Sequence, residues 1–259
     1  MLRNLLVCGL VAGLCGGLLA TGFASVVGEP AIDRAIAYED AHARATGGAH
    51  DHAAAVPAPV SRALQKSAGL LTALVVDGVA LGGIFALVFA FAYGRVGRAS
   101  PRTTAHWLAG AAFVVVFLVP FVKYPATPPA VGDPATIGRR TTLYATMFAI
   151  SILAAMAAAR LRPALRRRLD GHTATGLAVL AYLAIVVAGG LALPGVNEVP
   201  ADFPATTLWR FREASVGLQA TLWATIGVLF ASSAQRVMTG RPVLPRRPRA
   251  AAAARAAAD

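Results

Sequence analysis

The sequence predicts an all-α, polytopic membrane protein with about six transmembrane helices, and three observations carry that reading. First, 57% of the 259 residues are hydrophobic and only 14% are charged, whereas soluble domains carry about a quarter charged residues. Second, six apolar stretches are long enough to cross a hydrocarbon layer about 30 Å thick, which takes about 20 helical residues. Third, the basic residues behind the net charge of +12 cluster at the ends of those stretches. The long apolar runs exclude a disordered chain. Two cysteines are too few for a disulfide scaffold.

The first span, Leu5–Val26, carries Gly9, Gly13 and Gly17 at four-residue spacing, a face suited to close helix contact in lipid. Cys8 and Cys15 share one side of it and read as small buried apolar residues. Arg3 and the small residues near Ala24 admit a cleaved signal peptide as the alternative. The apolar stretch, however, exceeds the usual signal length of about 7–15 residues. The second span, Gly69–Tyr93, repeats the spacing at Gly78 and Gly82 and holds Asp77. The third, Trp107–Val122, is the shortest and runs into a Pro-rich stretch from Pro120 to Pro134; were it re-entrant, five spans would remain. Thr141–Ala159, Thr173–Leu193 and Ser215–Ala234 complete the set. Ala, Leu, Val and Gly dominate without period-2 alternation, so these are helices rather than barrel strands.

The spans make residues 1–240 one helical membrane domain. Its external loops fall at about 27–68, 123–140 and 194–214, and 241–259 is a disordered, basic, low-complexity cytoplasmic tail. With the N-terminus cytoplasmic, fifteen of the 24 basic residues lie inside, facing only Asp170 and Asp259. The other nine share the outside with nine acids. That asymmetry orients the chain and explains its charge without a nucleic-acid ligand, for which no basic reading face exists.

No Walker A, GxGxxG, HExxH, GxSxG or CxxC motif occurs. The chain is therefore expected not to be an enzyme and to hold no cofactor; energy for any transport comes from a gradient or another chain. The first external loop holds Glu29, His42, His50, Asp51 and His52. Imidazole and carboxylate suit borderline divalent ions such as Co²⁺, Ni²⁺ and Zn²⁺, so these five are candidate metal ligands; an incidental polar loop is the alternative. Asp77 is the ionisable group inside a span, where it costs about 2.5–3.5 kcal/mol to insert, and it heads the candidates for a transport path.

The other path candidates stand in two similar segments, VPFVKYPATPPAVGDP (Val119–Pro134) and LPGVNEVPADFP (Leu193–Pro204). Each is followed by arginines and then by LYAT or LWAT, so the C-terminal two thirds reads as two similar hairpins. Proline leaves carbonyls unbonded. Such carbonyls, with Asp133, Asn197, Glu198 and Asp202 and with Lys123 beside them, would offer oxygen along a path. Two interfacial turns anchored by Tyr124, Phe203 and Trp209 are the alternative.

Four blocks, GEPAIDRAIAYEDAH (Gly28–His42), SRALQKSAGL (Ser61–Leu70), LVPFVKYPATPPAVGDPATIGRRTTLY (Leu118–Tyr144) and LPGVNEVPADFPATTLWRFREASVGLQATLW (Leu193–Trp223), make the chain resemble the CbtA family of predicted cobalt transporter subunits. The likeness runs from Met1 to about Gly240. It implies Co²⁺ uptake for cobalamin synthesis in the bacterial inner membrane, alongside membrane lipid and a small single-span CbtB-like subunit. It also implies five spans, the family's usual description, where the charge count gives six. Two rival readings stand beside it. One is a membrane enzyme acting on a phosphate-bearing lipid carrier through Arg139/Arg140 and Arg210/Arg212. The other is a non-catalytic scaffold that docks through its glycine faces.

Overall fold

The structure is a computed structural model that describes residues 1–45, 68–95, 99–129 and 131–239. Helix α1 (Leu2–Phe23) passes through a π-helical turn (Ala24–Gly28) into α2 (Glu29–Ala45). Helix α3 (Leu70–Ala92) follows. Next come α4 (Pro101–Ala112), a π-helical stretch (Phe113–Leu118) and α5 (Val119–Lys123), which together form one continuous rod. Helices α6 (Ile137–Leu165), α7 (Gly171–Ala192) and α8 (Ala205–Met238) complete the bundle. Six helices are long and apolar enough to cross a membrane, and no strand occurs among the described residues.

The third span is not short. It starts at Pro101, with Ser100 Oγ accepting the Thr103 amide at 3.1 Å as an N-cap. Proline at the first helical position suits such a start. Apolar counting missed this turn because Arg102, Thr103, Thr104 and His106 are polar. The same effect hid the first ten residues of α8, which include Arg210, Arg212 and Glu213. The stretch from Glu29 to Ala45, read as loop from the sequence, is also helical.

Helices α1, α3 and α8 form the heart of the bundle, with α4 against α8. Lipid is as apolar as leucine, so close packing rather than water exclusion holds such helices together. The glycines make that contact possible. A Cβ on Gly13 would run into the Gly78 carbonyl, and one on Gly17 would lie 2.8 Å from Val75 Cα. Below that seam, Phe230 of α8 meets Phe85 and Phe89 of α3 edge-on, with ring centroids 5.1 and 5.0 Å apart. Phe89 and Phe230 are fully buried.

Helices α6 and α7 form a hairpin pressed together where Ile150 fills the space left by Gly189. A polar tie joins this hairpin to the third span. In the π-helical stretch the Val119 amide bonds to Val114 O. The next carbonyl, Val115 O, would need a donor from Pro120, which has no N–H. Ser151 Oγ of α6 donates to Val115 O instead, at 2.7 Å. Its own oxygen lies 3.0 Å from the Tyr182 hydroxyl of α7. Ser151 is fully buried, so the tie sits inside the bundle.

Candidate functional site

One end of the bundle gathers α2, the chain between Lys123 and Ile137, and the chain between Leu193 and Pro204. Ala35, Tyr38 and His42 share a face of α2 because residues three and four apart are helical neighbours. Ala35 packs with Val131 and Phe203, one residue from each Pro-rich segment, in a small buried cluster. Tyr38 meets Phe203 edge-on at 4.9 Å and stacks on His42 at 5.8 Å. Beyond them, His42 Nδ1 lies 3.4 Å from Asp202 Oδ2, and both side chains are more than half exposed. The buried Tyr38 hydroxyl completes no hydrogen bond of full geometry. It still lies close enough to Asp202 to be the largest influence holding that carboxyl below its usual range, with the nearby imidazole adding to it.

The two Pro-rich segments are bolted to each other by side chains. Lys123 Nζ donates to Leu193 O at 2.9 Å, and the Tyr124 hydroxyl to Pro194 O at 2.8 Å. Glu198 Oε2 accepts the Asp133 amide at 3.0 Å. The same oxygen sits 3.4 Å from Arg140 Nε, whose position is buried and lacks full hydrogen-bond geometry. Arg140 Nη2 donates to Asp133 O at 3.3 Å, and Arg212 Nε to Ala126 O at 3.4 Å. Arg140 lies across Gly132, whose φ of +110° and lack of a Cβ give the guanidinium room. The Thr136 hydroxyl, which also reaches Asp133 O, leads the influences that lower the Glu198 pKa; the Asp133 amide and Arg140 and Arg139 follow.

These bonds correct one expectation. Three of the carbonyls read from the sequence as free oxygen for a cation, Leu193 O, Ala126 O and Asp133 O, already accept from Lys123, Arg212 and Arg140. Between the segments and the top of α6 lies a cleft of about 540 Å³ with walls of Phe117, Phe121, Tyr124 and Tyr144 and with Arg140 and Glu198 at its polar edge.

Of the candidate residues, the fold brings His42 together with Asp202, and Asp133 together with Glu198 and, through its carbonyl, Arg140. Asn197 is exposed, and Glu29 begins α2. Asp77 is exposed on the flank of α3, about 10 Å along the helix from its first residue. His50, Asp51 and His52 lie outside the described residues. Among the described residues, no three His, Cys, Asp or Glu side chains stand together as a metal site. Tyr38 is not among the residues that the sequence marks as candidates, and Arg140 enters there only in the phosphate-binding alternative. The one signal for Tyr38 was its helical spacing from Ala35 and His42.

A profile of the family described as "Probable cobalt transporter subunit (CbtA)" matches residues 2–235. No curated protein and no solved structure matches the chain. The profile spans nearly the whole chain, and six of its helices are built to cross a bilayer: this multi-pass membrane protein belongs to the CbtA family of cobalt transporter subunits.

Proposed function

We propose that the chain is the membrane subunit of a Co²⁺ uptake transporter that supplies metal for cobalamin synthesis. The His- and acid-bearing end gathers the ion at the outer face of the bacterial inner membrane. The observation that carries this reading is the His42–Asp202 pair, an imidazole and a carboxylate 3.4 Å apart and open to solvent, in a chain of the cobalt transporter family. Two donors make a weak site, which suits an ion that must also leave. His50, Asp51 and His52 follow α2 in the chain, outside the described residues, and would add imidazole and carboxylate to the donor set. Glu29, Asp133, Asn197 and Glu198 add negative or oxygen-rich surface at the same end, and Lys123 fixes the segments that carry it.

Asp77 faces outward from the bundle, so its part in the route lies at a seam with a second subunit. The small single-span CbtB-like chain is the proposed occupant. An inside-negative potential favours entry of a divalent ion by about 4.6 kcal/mol per 100 mV, so no nucleotide hydrolysis is required. Ni²⁺ and Zn²⁺ are competing cargoes, because imidazole and carboxylate do not favour Co²⁺ over them.

The test is radiocobalt accumulation in cells expressing the chain with its small partner. His42→Ala combined with Asp202→Asn lowers uptake at limiting metal, and Asp77→Asn lowers it at all concentrations. Wild-type rates in both variants, at equal protein level, overturn the proposal.

A further inference from the structure

The cleft beside α6 has the wrong chemistry for a bare dication. Arg140 lines it, held by the Asp133 carbonyl, and Arg139 is close enough to act on Glu198 electrostatically. Two arginines thus stand against Glu198, the carboxylate that lines it. The body of the cleft is aromatic, with Phe117, Phe121 and Tyr144 descending along the third span and α6. Its volume of about 540 Å³ is about three times that of a hexahydrated ion, at about 30 Å³ per water. Pockets of this size, apolar with a few convergent polar groups, hold organic ligands.

The flank of the cleft decides which kind. Ile137 is 55% exposed and Tyr144 37% exposed, and both stand on the first two turns of a membrane-crossing helix. The exposed flank of the cleft therefore lies on helices long and apolar enough to cross a membrane. We propose that it is a binding site for an anionic phospholipid, with the phosphate at Arg140 and the acyl chains along Phe117, Phe121 and Tyr144. Planar donors on arginine match phosphate oxygens, and a lipid held there braces the joint between the two Pro-rich segments.

The experiment is native mass spectrometry of the purified full chain in detergent, given equal amounts of phosphatidylglycerol and phosphatidylethanolamine. Wild type retains phosphatidylglycerol about fivefold better, the preference that one cation near an anionic headgroup provides. Arg140→Gln removes that preference. Thr141→Trp, which fills the cleft and leaves every Arg140 contact in place, removes the bound lipid; both variants are checked for wild-type elution on size exclusion. Equal retention of the two lipids by wild type overturns the proposal. So does a preference that survives in either correctly eluting variant, as it would if the basic tail were its source. Binding of 1-naphthyl phosphate without selectivity between the lipids also overturns it, in favour of a soluble anion.

Discussion

The hydroxyl of Ser151 donates to the carbonyl of Val115 at 2.7 Å, supplying the donor that Pro120, five residues further on, lacks. The third span can therefore keep a proline near its end with the Val115 carbonyl still paired, where an unsatisfied backbone group within a membrane costs several kcal/mol. Tyr182 extends the tie to α7. Three helices are thus joined by two side-chain hydroxyls.

Ser151→Ala is expected to lower stability by about 1 kcal/mol, within the measured range for side-chain hydrogen bonds inside membranes. Pro120→Ala restores a backbone donor to Val115, so it should recover most of that loss in the double variant. Thermal unfolding of the purified proteins, run as a double-mutant cycle, reads the coupling. Strictly additive effects would show that the hydroxyl does not stand in for the missing amide.

The seam between α1 and α3 makes a sharper contrast. Gly13→Leu forces a side chain into the Gly78 backbone and should cost at least about 2 kcal/mol, the usual scale of overpacking. Gly176→Ala meets nothing within 4 Å and should be neutral or slightly stabilising, because glycine inside a helix costs about 0.5–1 kcal/mol relative to alanine. Melting temperatures of the two variants in one detergent check both signs.

Phe230→Ala empties a fully buried position between Phe85 and Phe89. Large-to-small changes of this kind cost about 3–5 kcal/mol. Trp209→Ala removes a larger ring that is 63% exposed and should change stability by less than about 1 kcal/mol. Unfolding midpoints in the same detergent series separate them.

Acid should loosen the end that holds Asp202 and Glu198 before the bundle. Asp202 and Glu198 both titrate below their usual range. Each thus contributes stability that is present above the unfolded carboxyl values, about 3.9 and 4.3. That contribution is lost as pH falls below them through the folded values. Protease accessibility of α2, followed from pH 7 to pH 3, should rise in the acid part of this range. Asp202→Asn, which cannot ionise, should lack the Asp202 part of the change.

The apolar runs at Leu5–Val26 and Gly69–Tyr93 show in one dimension because a bilayer imposes length and hydropathy on each helix separately. The four-residue glycine spacing also marked the α1–α3 seam in advance, since close approach of helices in lipid requires small residues at helical intervals. Helix ends were less visible. Arg102, Arg210 and Arg212 lie in helical turns that extend past the apolar core, and a hydropathy window stops where charge begins.

The candidate site was legible only as an inventory. Acids, histidines and prolines could be read along the chain, but not which of them meet. His42 and Asp202 are 160 residues apart in the sequence, and α2 being a helix rather than a loop is what places one over the other. Likewise proline removes local donors in the Pro-rich segments, while Lys123, Arg140 and Arg212 supply donors to Leu193 O, Asp133 O and Ala126 O from α5, α6 and α8. The sequence by itself determined a six-helix membrane protein and its family, because span length, apolarity and extended motif blocks are properties of contiguous residues. Only the tertiary structure decided that Asp77 faces outward, that Ser151 pairs the Val115 carbonyl and that an aromatic cleft with Arg140 and Glu198 lies beside α6, because each depends on how helices distant in sequence are rotated and stacked.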